Sequence, residues 1–213
     1  MIFYTKEVLR DIPDNVTVVA ATKYFNPTDM KELYNTGINN FGENRVEAFL
    51  EKYEDLKELP ITWHFIGTLQ TKKAKKVVNK ISYLHSLNTL KLAEELNKRR
   101  LTPLKCFIQV NISSEENKHG FKKDEVIPFI NTLKDLENIQ VVGLMGMAEF
   151  TKDETIISKE FQVLNDILKE LNETLNLNIS ELSIGMSNDY LIAIKHNATF
   201  LRLGSVLFKK EVS

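Results

Sequence analysis

Lys23 ends the first hydrophobic run of the chain, Thr17-Val-Val-Ala-Ala-Thr-Lys23, and the far part of the sequence supplies Ser187 and then Arg202-Leu-Gly204-Ser205. A primary amine at a strand end can condense with an aldehyde to an imine when its setting makes it a usable nucleophile. Ser187 follows Ile184-Gly-Met and precedes Asn188-Asp189, where a strand is expected to hand over to a helix. Its hydroxyl and the neighbouring N–H groups are expected to donate to an anion at the positive helix terminus. Gly204-Ser205 repeats the device after the next strand, with Gly204 letting the backbone approach closely and Ser205 adding a hydroxyl. Taken singly, a lysine past a strand is an ordinary surface residue and a Gly-Ser pair an ordinary turn. Together they describe an amine at one end of a ligand and a phosphate seat at the other, which suits pyridoxal phosphate (PLP).

Such residues need elements that bring them to one face. Short β-type runs at 16–22, 39–42, 62–67, 81–86, 105–111, 140–145, 181–185 and 199–203 predict eight strands. Between them lie helix-length patterns at 28–36, 45–59, 71–79, 89–100, 123–136, 155–175 and 189–196, several opened by Asn, Ser or Thr, and a short helix over 5–11 precedes the first strand. Eight βα units predict a single-domain (β/α)8 TIM barrel, a fold that commonly forms one domain at roughly 200 residues or more. The competing architecture is an open doubly wound sheet, but Lys23-Tyr-Phe-Asn-Pro27 stands where its Gly-rich dinucleotide fingerprint belongs. In a barrel the functional face is built at the C-terminal strand ends. Lys23, Gly42-Glu43-Asn44, Gly67, Asn111, Met145, Gly185-Met-Ser187 and Gly204-Ser205 all fall there.

Composition bounds the partners. The 28 Lys+Arg and 29 Asp+Glu of the 213 residues nearly cancel, which argues against nucleic acid. Cys106 is the only cysteine, so an intrachain disulfide and a Cys-based zinc site are both excluded. The N-terminus lacks a secretory pattern and no apolar run approaches a membrane span, so the expected setting is soluble and cytoplasmic. Lys72-Lys73-Ala-Lys75-Lys76 reads as a solvated helix face. His64 reads either as a ring contact or as a hydrogen-bonded structural histidine. Glu115-Glu116 with Lys118 and His119 reads as a polar loop at the rim of the functional face.

The segments Ala21-Thr-Lys23, Phe41-Gly-Glu-Asn44, Trp63-His-Phe-Ile-Gly67 with Leu69-Gln70, Gln109-Val-Asn111, Gly143-Leu-Met145, Ser183-Ile-Gly-Met-Ser-Asn-Asp189 and Arg202-Leu-Gly-Ser205 run in order over 16–208. In these segments the chain resembles the pyridoxal phosphate homeostasis proteins (the YggS or PROSC family), single-domain relatives of the N-terminal barrel of alanine racemase. The resemblance implies that Lys23 carries PLP as a Schiff base, with Asn44 in the cofactor site. It also implies that Ser187, Gly204 and Ser205 hold the phosphate and that Arg202 faces the pyridine nitrogen. Two departures touch the rim: the segment before the first strand is short, and Glu149 stands where many relatives have Pro.

Three function classes follow. The first is a PLP-binding protein of intracellular PLP homeostasis, monomeric by the resemblance, without a robust turnover reaction; apo PLP-dependent enzymes are the recipients it would serve. The second is a PLP-dependent amino-acid racemase-like enzyme. A racemase of this fold needs acid and base groups on opposite faces of the substrate carbon, one from an additional C-terminal domain that this sequence is not expected to carry. The third is a phosphosugar isomerase or lyase using Lys23 on a sugar carbonyl, which the resemblance disfavours.

Overall fold

The computed structural model describes residues 2–113 and 119–209. A short strand β1 (Ile2–Phe3) and helix α1 (Thr5–Arg10) precede a closed barrel of parallel strands that neighbour one another in chain order. These strands are β2 (Thr17–Ala21), β3 (Asn40–Glu43), β4 (Thr62–Phe65), β5 (Tyr83–Leu87), β6 (Leu104–Gln109), β7 (Ile139–Met145), β8 (Glu181–Met186) and β9 (Phe200–Leu203). The barrel closes where Thr17–Ala20 of β2 pair with Phe200–Leu203 of β9. Helices α2 (Pro27–Asn35), α3 (Val46–Asp55), α4 (Thr71–Val77), α5 (Leu90–Arg99), α6 (Lys123–Thr132), α7 (Glu154–Leu175) and α8 (Tyr190–Lys195) form the outer ring. The expected barrel is the one observed, with one difference in its last unit. Among the described residues β9 leads not into a helix but into a 3₁₀ turn at Ser205–Leu207 and β10 (Phe208–Lys209), which pairs antiparallel with β1. Tyr4 N–H donates to Leu207 O at 2.9 Å, so the N-terminal segment and α1 dock where an eighth helix would begin.

Local chemistry explains the helix boundaries. Asn26 and Asp29 form a reciprocal capping box around Pro27, which starts α2. Thr89 caps α5 through Leu92 N–H, and Asp153 caps α7 through Thr155 and Ile156 N–H. Helix α3 stops at Asp55 rather than continuing to 59, because Pro60 disfavours helical geometry at Leu59 and the chain turns through Leu59 N–H to Leu56 O.

Strands buried on both faces divide the core into two layers. Val18, Ala20, Phe41, Trp63 and Phe65 face outward against the helices, where Trp63 meets Phe49 edge-on at 5.3 Å. Val19, Phe107, Met145 and Phe200 fill the inside of the barrel. Each such side chain contributes about 1.5–3 kcal/mol by burial. Inside the same barrel, however, stand the buried polar residues His64, His85, Ser183 and Arg202, positions that branched aliphatics usually occupy. Polar groups persist there only when hydrogen-bonded, and all of these are.

Candidate functional site at the C-terminal mouth of the barrel

The alternation of β2 turns Val19 and Ala21 inward, and Lys23, two residues further on, shares their side. Thr22 N–H still pairs with Gly42 O at 3.0 Å, so the strand geometry carries almost to Lys23 before the chain turns through Phe25 N–H to Thr22 O. Lys23 lines a cavity of about 290 Å³ at the C-terminal ends of the strands, with its Nζ 4.9 Å above the Tyr24 ring. The same alternation brings Gly42 and Asn44 from β3, Ile66 and Thr68 from β4, and Arg202 from β9 to that cavity.

A buried polar cluster fixes the end of β2 from behind. Glu43 Oε1 accepts from Thr22 Oγ1 and from Lys52 Nζ, each at 2.6 Å, and Lys52 Nζ also donates to Thr22 O at 2.7 Å. Glu43 is fully buried and Lys52 nearly so, and this ion pair holds both polar groups of the residue before Lys23. Gly67 completes the wall. A Cβ there would stand 2.3 Å from Asn44 O, so only glycine lets the ends of β3 and β4 approach this closely.

Arg202 forms part of the floor. Its Nη1 donates to Ser183 O at 2.7 Å and to Ser183 Oγ at 2.6 Å, and Nη2 donates to Gly146 O at 3.1 Å. Burial lowers its pKa to about 10, against which the Asp189 carboxylate works, so the guanidinium stays charged at neutral pH. Burial raises the pKa of Asp189, while the Met186 N–H (2.6 Å to Oδ1) and Arg202 oppose the rise.

The loop residues Ser187, Gly204 and Ser205 flank the cavity without lining it; Met186 and Arg202, just before them, line it. Helix α8 spans six residues, and the Ser187 hydroxyl accepts from Gly204 N–H at 3.0 Å and Val206 N–H at 3.3 Å, which leaves its own proton to donate. A Cβ at Gly204 would meet nothing nearer than Ala21 at 3.7 Å, so the space above it is open. Ser205 is exposed at the start of the 3₁₀ turn.

Residues 20–211 match the family model described as "Alanine racemase, N-terminal domain". A pyridoxal phosphate homeostasis protein of Aquifex aeolicus is 37% identical, over 90% of this chain and 85% of that one. Its namesake in Schizosaccharomyces pombe is 36% identical, over 91% of this chain and 84% of its own. The chain belongs to the pyridoxal phosphate homeostasis protein family. Within solved structures, PipY of Synechococcus elongatus with PLP bound superposes with a TM-score of 0.89 at 30% identity, covering 96% of this chain and 97% of that chain. Alanine racemase of Clostridium difficile shares the fold, with a TM-score of 0.76 at 15% identity over 99% of this chain and 56% of the racemase chain.

For this member of the pyridoxal phosphate homeostasis family, Lys23 and Asn44, expected from the strand ends, and Arg202, expected from the resemblance, all line the cavity. Met186 and His119, expected at that face and its rim, line it too, and Gln109, Ser86 and Met147 are lining residues given no role from the sequence. Gln109 donates through Nε2 to His119 O at 3.2 Å, and Ser86 Oγ donates to Gly67 O at 2.5 Å. Among the described residues, Asn44 Oδ1 and Gln109 Oε1 are buried acceptors without a partner. Gln109 was legible as the inward residue two positions beyond Phe107. His64 proves to be the hydrogen-bonded histidine of the two readings, inside the barrel rather than in the cavity wall. The basic run lies on α4, where Lys72, Lys75 and Lys76 are exposed and Lys73 pairs with Glu47 at 2.8 Å. Glu115, Glu116 and Lys118 lie outside the described residues.

Proposed function

We propose that this chain, as one barrel domain, binds PLP at the cavity bounded by Lys23, Asn44 and Arg202 and serves intracellular PLP homeostasis without a robust turnover reaction. The observation that carries the reading is the convergence, around one cavity of about 290 Å³, of an amine, a buried guanidinium and two unpaired buried acceptors beside a loop of small residues. Family membership and the PLP-bound relative PipY support it.

The residues fit the cofactor group by group. When bound, PLP supplies an aldehyde carbon that a primary amine can join with loss of water. Lys23 Nζ is the amine on the cavity wall, steadied by the face of Tyr24. Arg202, always a donor, offers N–H to a ring nitrogen and so disfavours its protonation. Asn44 Oδ1 and Gln109 Oε1 are acceptors for a ring hydroxyl. Gly204 and Val206 N–H converge on a single oxygen, Ser187 Oγ, and the open space above Gly204 gives a phosphate room beside them. Ser205, exposed on the same turn, adds a hydroxyl.

An absorption spectrum before and after borohydride, followed by peptide mapping, tests the reading. Reduction should fix the cofactor on Lys23, and Lys23→Ala should lose both the band and the label; a label on a different lysine in the unmodified protein would sink the assignment. Carrier and racemase readings separate when holo-protein is incubated with L- and D-alanine in deuterated water while cofactor transfer to an apo-enzyme is followed. Transfer without exchange at the α-carbon is expected. Multiple-turnover racemisation that Lys23→Ala abolishes would defeat the carrier reading.

A further inference from the structure

Behind the cavity the barrel interior holds a continuous file of hydrogen bonds. Arg202 Nη1 donates to Ser183 Oγ at 2.6 Å, and Ser183 Oγ lies 2.7 Å from His85 Nδ1. His85 Nε2 lies 2.9 Å from His64 Nδ1, and His64 Nε2 lies 2.9 Å from Asn40 Oδ1. The ends of the file set its direction. A guanidinium only donates, so Ser183 Oγ accepts from it and has its own proton free for His85 Nδ1. At the far end Asn40 gives its amide nitrogen to Asn39 Oδ1 at 2.9 Å, which leaves an oxygen that only accepts. The reverse order would set a bare His64 Nε2 against that oxygen, acceptor against acceptor. With both imidazoles neutral, each therefore carries its proton on Nε2.

The walls agree with that state. Tyr83 stacks on His64 at 4.5 Å and Phe107 on His85 at 4.5 Å, with Phe200 packed against both. Burial lowers the pKa of His64 to about 3 and that of His85 well below its ordinary value, the latter helped by His64 and Arg202. On the far side of Tyr83 stands the exposed Lys105, whose Nζ donates to the Tyr83 hydroxyl at 3.2 Å.

We propose that Ser183, His85 and His64 are positioning residues for Arg202: their one-way file holds the guanidinium as a fixed donor at the floor of the cavity and so prolongs retention of the ring seated there. This rests on the PLP reading of the cavity. Removing the acceptor at His85 leaves the Ser183 proton unpaired and the hydroxyl turns, so Arg202 loses the side-chain partner of its three and is held only by the Ser183 and Gly146 carbonyls.

Two measurements decide it. In cofactor-free protein labelled with ¹⁵N-histidine, both buried imidazoles should show the neutral Nε2–H pattern across about pH 5 to 8, where an ordinary histidine titrates. An Nδ1–H tautomer or a protonated ring would overturn the file, whatever the cavity binds. In PLP-loaded protein, His85→Phe keeps the stacking and removes the acceptor. It should release PLP about tenfold faster, the scale of one hydrogen bond, and move the ring ¹⁵N resonance, while borohydride still traps Lys23. His85→Asn, whose Oδ1 takes the place of Nδ1, should restore both readouts, and Ser183→Ala should reproduce the loss with both histidines in place. Unchanged release and resonance in His85→Phe and Ser183→Ala, or identical behaviour of the Phe and Asn variants, would refute the positioning role. Failure to trap Lys23 in the unmodified protein would instead sink the PLP reading, leaving the tautomer measurement to judge the file.

Discussion

Ser187 and Ser205 look alike in sequence and differ in what they do. The Ser187 hydroxyl accepts from Gly204 and Val206 N–H and so ties the loop after β8 to the loop after β9, whereas Ser205 stands exposed on the 3₁₀ turn. Alanine at either position should weaken PLP binding by about 1.5–3 kcal/mol if each donates to the phosphate, as charge-assisted hydrogen bonds do. Only Ser187→Ala should also lower the melting temperature of the cofactor-free protein, because it leaves two N–H groups without their shared acceptor. Titration with PLP and with pyridoxal, beside thermal melts, separates the two effects. Equal affinity for pyridoxal and its phosphate would show that no phosphate clamp exists.

At the scale of elements, two devices set where the strand ends stop. The Lys52–Glu43 pair joins α3 to β3 and grips Thr22 at the end of β2. Lys52→Met would strand a fully buried carboxylate, an event that costs about 3–5 kcal/mol, while the double change Lys52→Met with Glu43→Gln should cost less than the single one. Urea unfolding midpoints check the order, and PLP affinity should fall with the loosening of Thr22. The second device is Gly185 in β8, whose φ of +88° coincides with a shift in register between Ser183 and Met186 against β9. Gly185→Ala adds backbone strain of about 1–3 kcal/mol. It also puts a Cβ 2.6 Å from Ala193 Cβ and 2.8 Å from Leu201 Cδ2. Lower stability and weaker cofactor binding should appear together in that variant; a Cm equal to that of the unmodified protein would show that the bulge is not maintained by glycine.

The whole molecule carries a cost for housing imidazoles where a barrel core is normally aliphatic. His64 has its pKa lowered to about 3 and His85 well below 6.5, so the folded state keeps both neutral while the unfolded chain binds protons near 6.5. The folded pKa values are the depressed ones, so the stability is complete above about pH 6.5 and falls as pH drops through the window toward 3. The slope approaches about 1.4 kcal/mol per pH unit for each imidazole. Chemical denaturation at a series of pH values from about 7.5 to 5 should show it, and His64→Gln or His85→Asn should flatten the curve. A pH-independent midpoint over that range would mean that the histidines do not stay neutral. Among the described residues no helix is long and apolar enough to cross a membrane.

Local order in the chain was enough to specify the barrel and the amine end of the site. The runs alternate with period two, so Val19, Ala21 and Lys23 share one side, as do Gly42 and Asn44, and as do Phe200 and Arg202; once the sheet closes, that side is the interior. Lys23 and Asn44 were therefore legible from spacing and strand ends, whereas the place of Arg202 came from the family resemblance. The loops after β8 and β9 were legible only as small residues. That Ser187 accepts from the neighbouring loop is a contact between the turns after β8 and β9, where the bulge at Gly185 and the 3₁₀ turn leave no periodic mark. The histidine file was the least visible. His85 and Ser183 lie 98 residues apart, and nothing in either segment names the other. They meet because a closed barrel carries inward side chains from distant strands across a shared axis, and such cross-barrel contacts are fixed by closure and register rather than by any local pattern.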